Sequence, residues 1–118
     1  TLGAIQNLSP DKDILSLLQG KWKHTRSCQN NKCDEVPSEL EIEFQKQGKG
    51  HYSYSIDGNL DIYDFVYNLK GKDTIARLNH NETSMNLVVS KIIKLNKKTL
   101  ILQDEKSNYQ EIYERKKK

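Results

Sequence analysis

A chain of 118 residues supports one domain with one modest core, which excludes a large multidomain enzyme. Charged residues make up 30% and hydrophobic residues 35%, a polar balance that still leaves enough aromatic and β-branched side chains to exclude general disorder. The formal net charge is +3, yet residues 115–118 supply four positive charges, so residues 1–114 are slightly acidic and the basic character sits at the C-terminal end.

Residues 1–10 read as a flexible N-terminal arm, 11–115 as a single domain and 116–118 as a basic tail. The arm has neither the charged n-region nor the apolar h-region of a signal peptide, and no apolar run approaches bilayer length. Ser9 is placed to cap a helix, Pro10 suits its first position and Asp11 favours its positive end. Ile14, Leu15, Leu17 and Leu18 then form one apolar stripe, and Gly20 ends the turn. A helix this short needs a packing partner. An open end of the following β domain is the expected one, with Leu18 and Trp22 excluding water there.

From Trp22 the apolar period shortens to two. Trp22, His24, Arg26 and Cys28 share one parity, with Trp22 expected inside and His24 and Arg26 near a rim. Cys28 and Cys33 flank Asn30 and Asn31. Their spacing fits a local disulfide clip across a turn, and two free surface thiols are the alternative; a bridge favours an oxidising compartment. Leu40, Ile42 and Phe44 alternate with Glu39, Glu41 and Glu43, the clearest half-buried strand in the sequence. Residues 47–50 form the next turn, Tyr52, Tyr54 and Ile56 a second stripe, and Asp57-Gly58-Asn59 a hairpin connection.

Residues 60–69 carry apolar side chains on both parities, Ile62 and Val66 on one and Tyr63, Phe65, Tyr67 and Leu69 on the other. A bulge, a covering helix or a partner surface each accounts for such a strand. Met85, Leu87 and Val89 alternate and are expected to face the same core as Leu40, Ile42, Phe44, Leu100 and Leu102; Tyr109, Ile112 and Tyr113 belong to the last strand. About eight strands with short connections predict an all-β antiparallel barrel, whose closure protects its strand edges.

The segments LLQGKWKHT, EIEFQKQGKGHYSYS, IIKLNKKTLILQ and YQEIYERK resemble small bacterial lipocalin-like domains of the exported or lipoprotein type. Gly20 and Trp22 match an early G-x-W motif. Phe44 and Gly48 match the F-x-x-x-G motif of a central hairpin, and Ile92, Leu95, Leu100 and Leu102 the spacing of the last strands. The resemblance implies an eight-stranded lipocalin-like barrel and export to the bacterial periplasm or outer envelope, with a lipid anchor upstream of Thr1 compatible with it. The sequence departs from larger lipocalins in being short and in lacking a second, long-range cysteine pair.

Trp22, Phe44, Tyr52, Tyr54, Tyr109 and Tyr113 are the candidates for lining a pocket for a small apolar or amphipathic ligand. Tyr63, Phe65 and Tyr67 are the candidates for a contact surface if the core is instead filled and the protein serves as a structural or interaction domain. No catalytic residues, metal ligands or cofactor are expected. His24, His51 and His80 lie in separate segments, and Ser53 and Ser55 lack the third group that a triad beside His51 requires. A terminal basic cluster without interleaved aromatics argues against nucleic-acid binding. The expected state is a monomeric, non-catalytic binding module.

Overall fold

The polypeptide reverses where its backbone enters the left-handed region. Asn30 and Asn31 (φ 53° and 69°) form one tight turn, and Asp57 and Gly58 (φ 53° and 83°) another. Asn, Asp and Gly tolerate this conformation, and the resulting turns match the twist of antiparallel strands. The computed structural model describes residues 10–35, 39–71, 73–80 and 85–116. One helix, α1 (Pro10–Leu18), precedes β1 (Gly20–Gln29), β2 (Lys32–Glu35), β3 (Glu39–Phe44) and β4 (Lys49–Ile56). Then follow β5 (Asn59–Lys70), β6 (Thr74–His80), β7 (Met85–Leu95), β8 (Thr99–Asp104) and β9 (Gln110–Arg115). Ser9, the expected cap, lies outside the described residues.

Strands β3 to β9 pair in sequence order, and β9 returns to pair with β1, closing an eight-stranded antiparallel barrel. β2 is the additional strand. It shares one edge of β1 with β3, which takes Gly20 to Lys23 while β2 takes Arg26 to Gln29. The Cys28–Cys33 disulfide ties that hairpin across the Asn30-Asn31 turn.

One end of the barrel is packed shut. Leu18, Trp22, Ile42, Phe44, Leu100, Leu102 and Tyr113 are at most 1% exposed. Phe44 meets Phe65 and Tyr67 edge-on, at centroid distances of 5.6 and 5.0 Å. Trp22 Nε1 donates to the Leu18 carbonyl at 2.8 Å, securing the last turn of α1 to the barrel. The Arg115 guanidinium stacks 4.1 Å from the Trp22 ring and donates to the carbonyls of Leu17, Gln19 and Lys97. Arg115 is therefore part of the closed end. Gly50 faces inward opposite Phe44, where an added Cβ would collide with the Phe65 ring and the Glu43 carbonyl.

Three sequence expectations are corrected. β1 carries a bulge between His24 and Arg26, so Arg26 turns outward, Ser27 takes the inward position opposite Glu111, and His24 is 5% exposed instead of lying at a rim. Phe65 and Tyr67 are 3% and 6% exposed; they belong to the core, and only Tyr63, at 48%, remains of the expected aromatic contact surface. Met85, Leu87 and Val89 lie on the outer parity, Met85 and Leu87 exposed, whereas Val88 and Ser90 pair with inward Arg77 and Ile75. Alternation defines two faces of a strand, but pairing register decides which one is inner.

Candidate functional site

Beyond the packed end, the barrel interior becomes polar. On β6, Ile75, Arg77 and Asn79 share the inward parity, because they pair with Leu69, Tyr67 and Phe65 of β5. Arg77 is 2% exposed. Its Nη1 donates to the Tyr52 hydroxyl at 2.7 Å. Its Nη2 has only long contacts, 3.4 Å to Ser90 Oγ and 3.6 Å to the Glu111 carboxylate, and its Nε has no partner. β9 supplies Glu111 and Tyr113 from the opposite side; the Tyr113 ring stacks on His24 at 4.8 Å, and its buried hydroxyl has no well-directed partner.

The remaining polar groups extend toward the open end. Tyr109 and Ser27 share a hydrogen bond of 2.8 Å, and Ser27 meets His24 Nε2 at 3.1 Å. His24 Nδ1 and Asn79 Oδ1 are buried without partners. Tyr52, Tyr54, Asn79, Val88, Tyr109 and Glu111 are half-buried. For the residues whose register points them inward, that exposure marks this half of the interior, among the described residues, as less tightly packed than the other.

Electrostatics follow from this burial. Burial lowers the His24 pKa against the opposing charge of Glu111, so the imidazole is held neutral. Burial raises the hydroxyl pKa of Tyr52, and that of Tyr113 far more, with Glu111 adding to both. Arg77 loses hydration, but the phenolic oxygens of Tyr52 and Tyr113 and the carboxylate of Glu111 face its guanidinium and keep it charged. The cluster thus offers one fixed cation, neutral phenols and a neutral imidazole.

Of the sequence-selected pocket residues, Tyr52 and Tyr113 meet at this cluster, Tyr109 and Tyr54 lie nearer the mouth, and Trp22 and Phe44 belong to the closed end. Sequence reasoning misses Arg77, Glu111, Ser90 and Asn79. The inward parity of 75, 77 and 79 carries one charge and one amide, whereas Ala76 and Leu78 make the other parity look like the core face. Among the described residues, no group of three or more His, Cys, Asp or Glu side chains is arranged to hold a metal. A depression of about 1000 Å³ outside the closed end is lined by Gly20, Lys21, Glu43, Lys97, Lys98, Glu114, Arg115 and Lys116. It shares no residue with the interior cluster, and Arg115 and Lys116 are already engaged, the latter with Glu41.

Residues 18–102 match the family model described as a lipocalin-like domain. A lipocalin-like protein from Bacteroides uniformis ATCC 8492 is similar in structure, with a TM-score of 0.74 and 22% identity over 84% of this chain and 98% of that one. An uncharacterized protein from Bacteroides eggerthii DSM 20697 gives a TM-score of 0.71 and 18% identity, over 84% and 99%. No curated protein sequence matches significantly.

Proposed function

The chain belongs to the lipocalin-like domain family, and from that premise we propose that its barrel binds a small amphipathic molecule in its open half without transforming it chemically. The observation that carries this reading is the gathering in one interior of buried polar atoms that make no well-directed hydrogen bond within the protein: Arg77 Nε, Tyr113 Oη, His24 Nδ1 and Asn79 Oδ1. Most buried polar groups in a finished core are paired with protein or ordered water, because each orphan costs about 1–3 kcal/mol. Gathered around one interior, such atoms call for partners from outside the chain, water in the free protein and the polar group of a ligand in the complex. The tyrosines toward the mouth give the ligand's less polar part a surface with hydroxyls for orientation.

Export to the bacterial envelope is part of the proposal. The Cys28–Cys33 disulfide fits an oxidising compartment, and among the described residues no helix is long and apolar enough to cross a membrane. A second reading, contact with a protein partner, draws on the outer face of β5 to β7. There Val66, Leu78 and Leu87 align in register beside exposed Ile62 and Met85.

Native mass spectrometry of protein purified gently from its natural source tests the binding reading. A non-covalent small-molecule adduct is expected, and Val88→Trp, which adds bulk to an inward position, should abolish it. Adduct-free protein whose crystal structure shows packed side chains closing the lumen above Tyr113 would overturn the reading.

A further inference from the structure

The partners of Arg77 are distributed unevenly around its guanidinium. Nη1 is well bonded to Tyr52, whereas the edge formed by Nε and Nη2 has no partner on one nitrogen and only 3.4 and 3.6 Å contacts on the other. In a guanidinium the Nε–H and one Nη2–H point the same way, the geometry that takes the two oxygens of a planar oxyanion side by side. We infer that this edge is the seat of a ligand carboxylate, received at the inner end of the chamber with the rest of the molecule directed toward the mouth. The inference rests on the binding reading above and names the ligand's inner group.

Charge and position support a monoanion. The site offers one buried cation, so a carboxylate matches it, while a phosphate dianion would bring a second charge into the interior unpaired. The Tyr113 hydroxyl beside Arg77 is a neutral donor available to the same anion. Ile42, Phe65, Leu100 and Leu102, each at most 3% exposed, fill the interior around and below it. Glu111 occupies the position of a stand-in: its carboxylate is the nearest anion to Nη2, too far for a hydrogen bond, and its side chain is 23% exposed and so within reach of water.

Calorimetric titration at pH 7 with 3-phenylpropionate and its neutral analogue 3-phenylpropanamide tests the inference, the two probes differing only in the anionic group. The carboxylate is expected to bind about tenfold or more tightly than the amide. In Glu111→Gln, which removes the competing anion and retains Arg77, carboxylate affinity should rise several-fold, and in the Arg77→Met/Glu111→Gln double variant the preference should fall to about one. Folding of each variant is checked by its urea midpoint. Equal binding of both probes to the native protein would overturn the carboxylate inference while leaving the binding reading intact. Saturable binding of neither would overturn both, and unchanged or weaker carboxylate binding in Glu111→Gln would overturn the role given to that edge of Arg77.

Discussion

Replacing Glu111 by Gln should make the protein less stable, and replacing Arg77 as well should largely restore it. At an effective dielectric of about 20, two unit charges 4 Å apart attract by about 4 kcal/mol. Here the contact is 3.6 Å, but Glu111 is partly exposed, its attraction is screened, and its own desolvation is relieved when it is neutralised. A net loss of about 1–3 kcal/mol follows, because Arg77 at 2% exposure keeps its charge and loses its counter-ion. Arg77→Met/Glu111→Gln removes both charges and replaces the guanidinium with a flexible apolar group of similar reach. Buried ion pairs so replaced are commonly neutral or better, so the double variant should lie within about 1 kcal/mol of the native protein. Urea unfolding followed by circular dichroism gives both numbers, provided the m-value is unchanged. A double variant destabilised by more than about 3 kcal/mol would show that Arg77 clamps the core, and would refute the idea that its polar surroundings are kept for a ligand.

Trp22→Ala should cost about 3–5 kcal/mol in the same assay, since Trp22 is fully buried, and a loss under about 1 kcal/mol would show that it does not seal the closed end. Gly50→Ala should destabilise by about 1–3 kcal/mol through overpacking against Phe65 and the Glu43 carbonyl; a neutral result would mean the strands there yield freely. Acidification should lower stability as pH falls through the ordinary histidine range near 6.5, because the unfolded protein protonates His24 more readily than the native one, whose pKa burial depresses; His24→Gln should flatten that slope between pH 7 and 5. Reduction of the disulfide should cost no more than about 2 kcal/mol, because the bridge closes only a short hairpin loop, and a larger shift in the urea midpoint on adding reductant would assign it a wider role.

Strand spacing and turn chemistry make the barrel legible in the sequence. Period-two stripes at 40–44 and 100–102, the Asp57-Gly58 turn and the G-x-W at Gly20 and Trp22 each describe local geometry that the backbone adopts. The phase of the remaining strands was less legible, since alternation is symmetric between inside and outside until pairing fixes the register. Met85 and Leu87 have the pattern of a core face but lie outside, and the bulge after His24 exchanges Arg26 for Ser27. Half of the candidate site was visible as tyrosines. Its charged centre was not, because Arg77 and Glu111 are 34 positions apart in sequence and meet only when β6 and β9 face each other across the closed barrel. A single arginine on a strand gives no warning of burial.

The most direct test of the chamber is the proton–nitrogen correlation of the Arg77 side chain at Nε in solution, assigned by its absence from the Arg77→Met/Glu111→Gln spectrum. The expected cross-peak shifts saturably as 3-phenylpropionate is added and becomes more protected from solvent exchange as Nε–H acquires a carboxylate acceptor. A free protein in which that proton is already strongly hydrogen-bonded, with a position unmoved by the probe, would contradict the claim that the barrel interior is built to receive a ligand there.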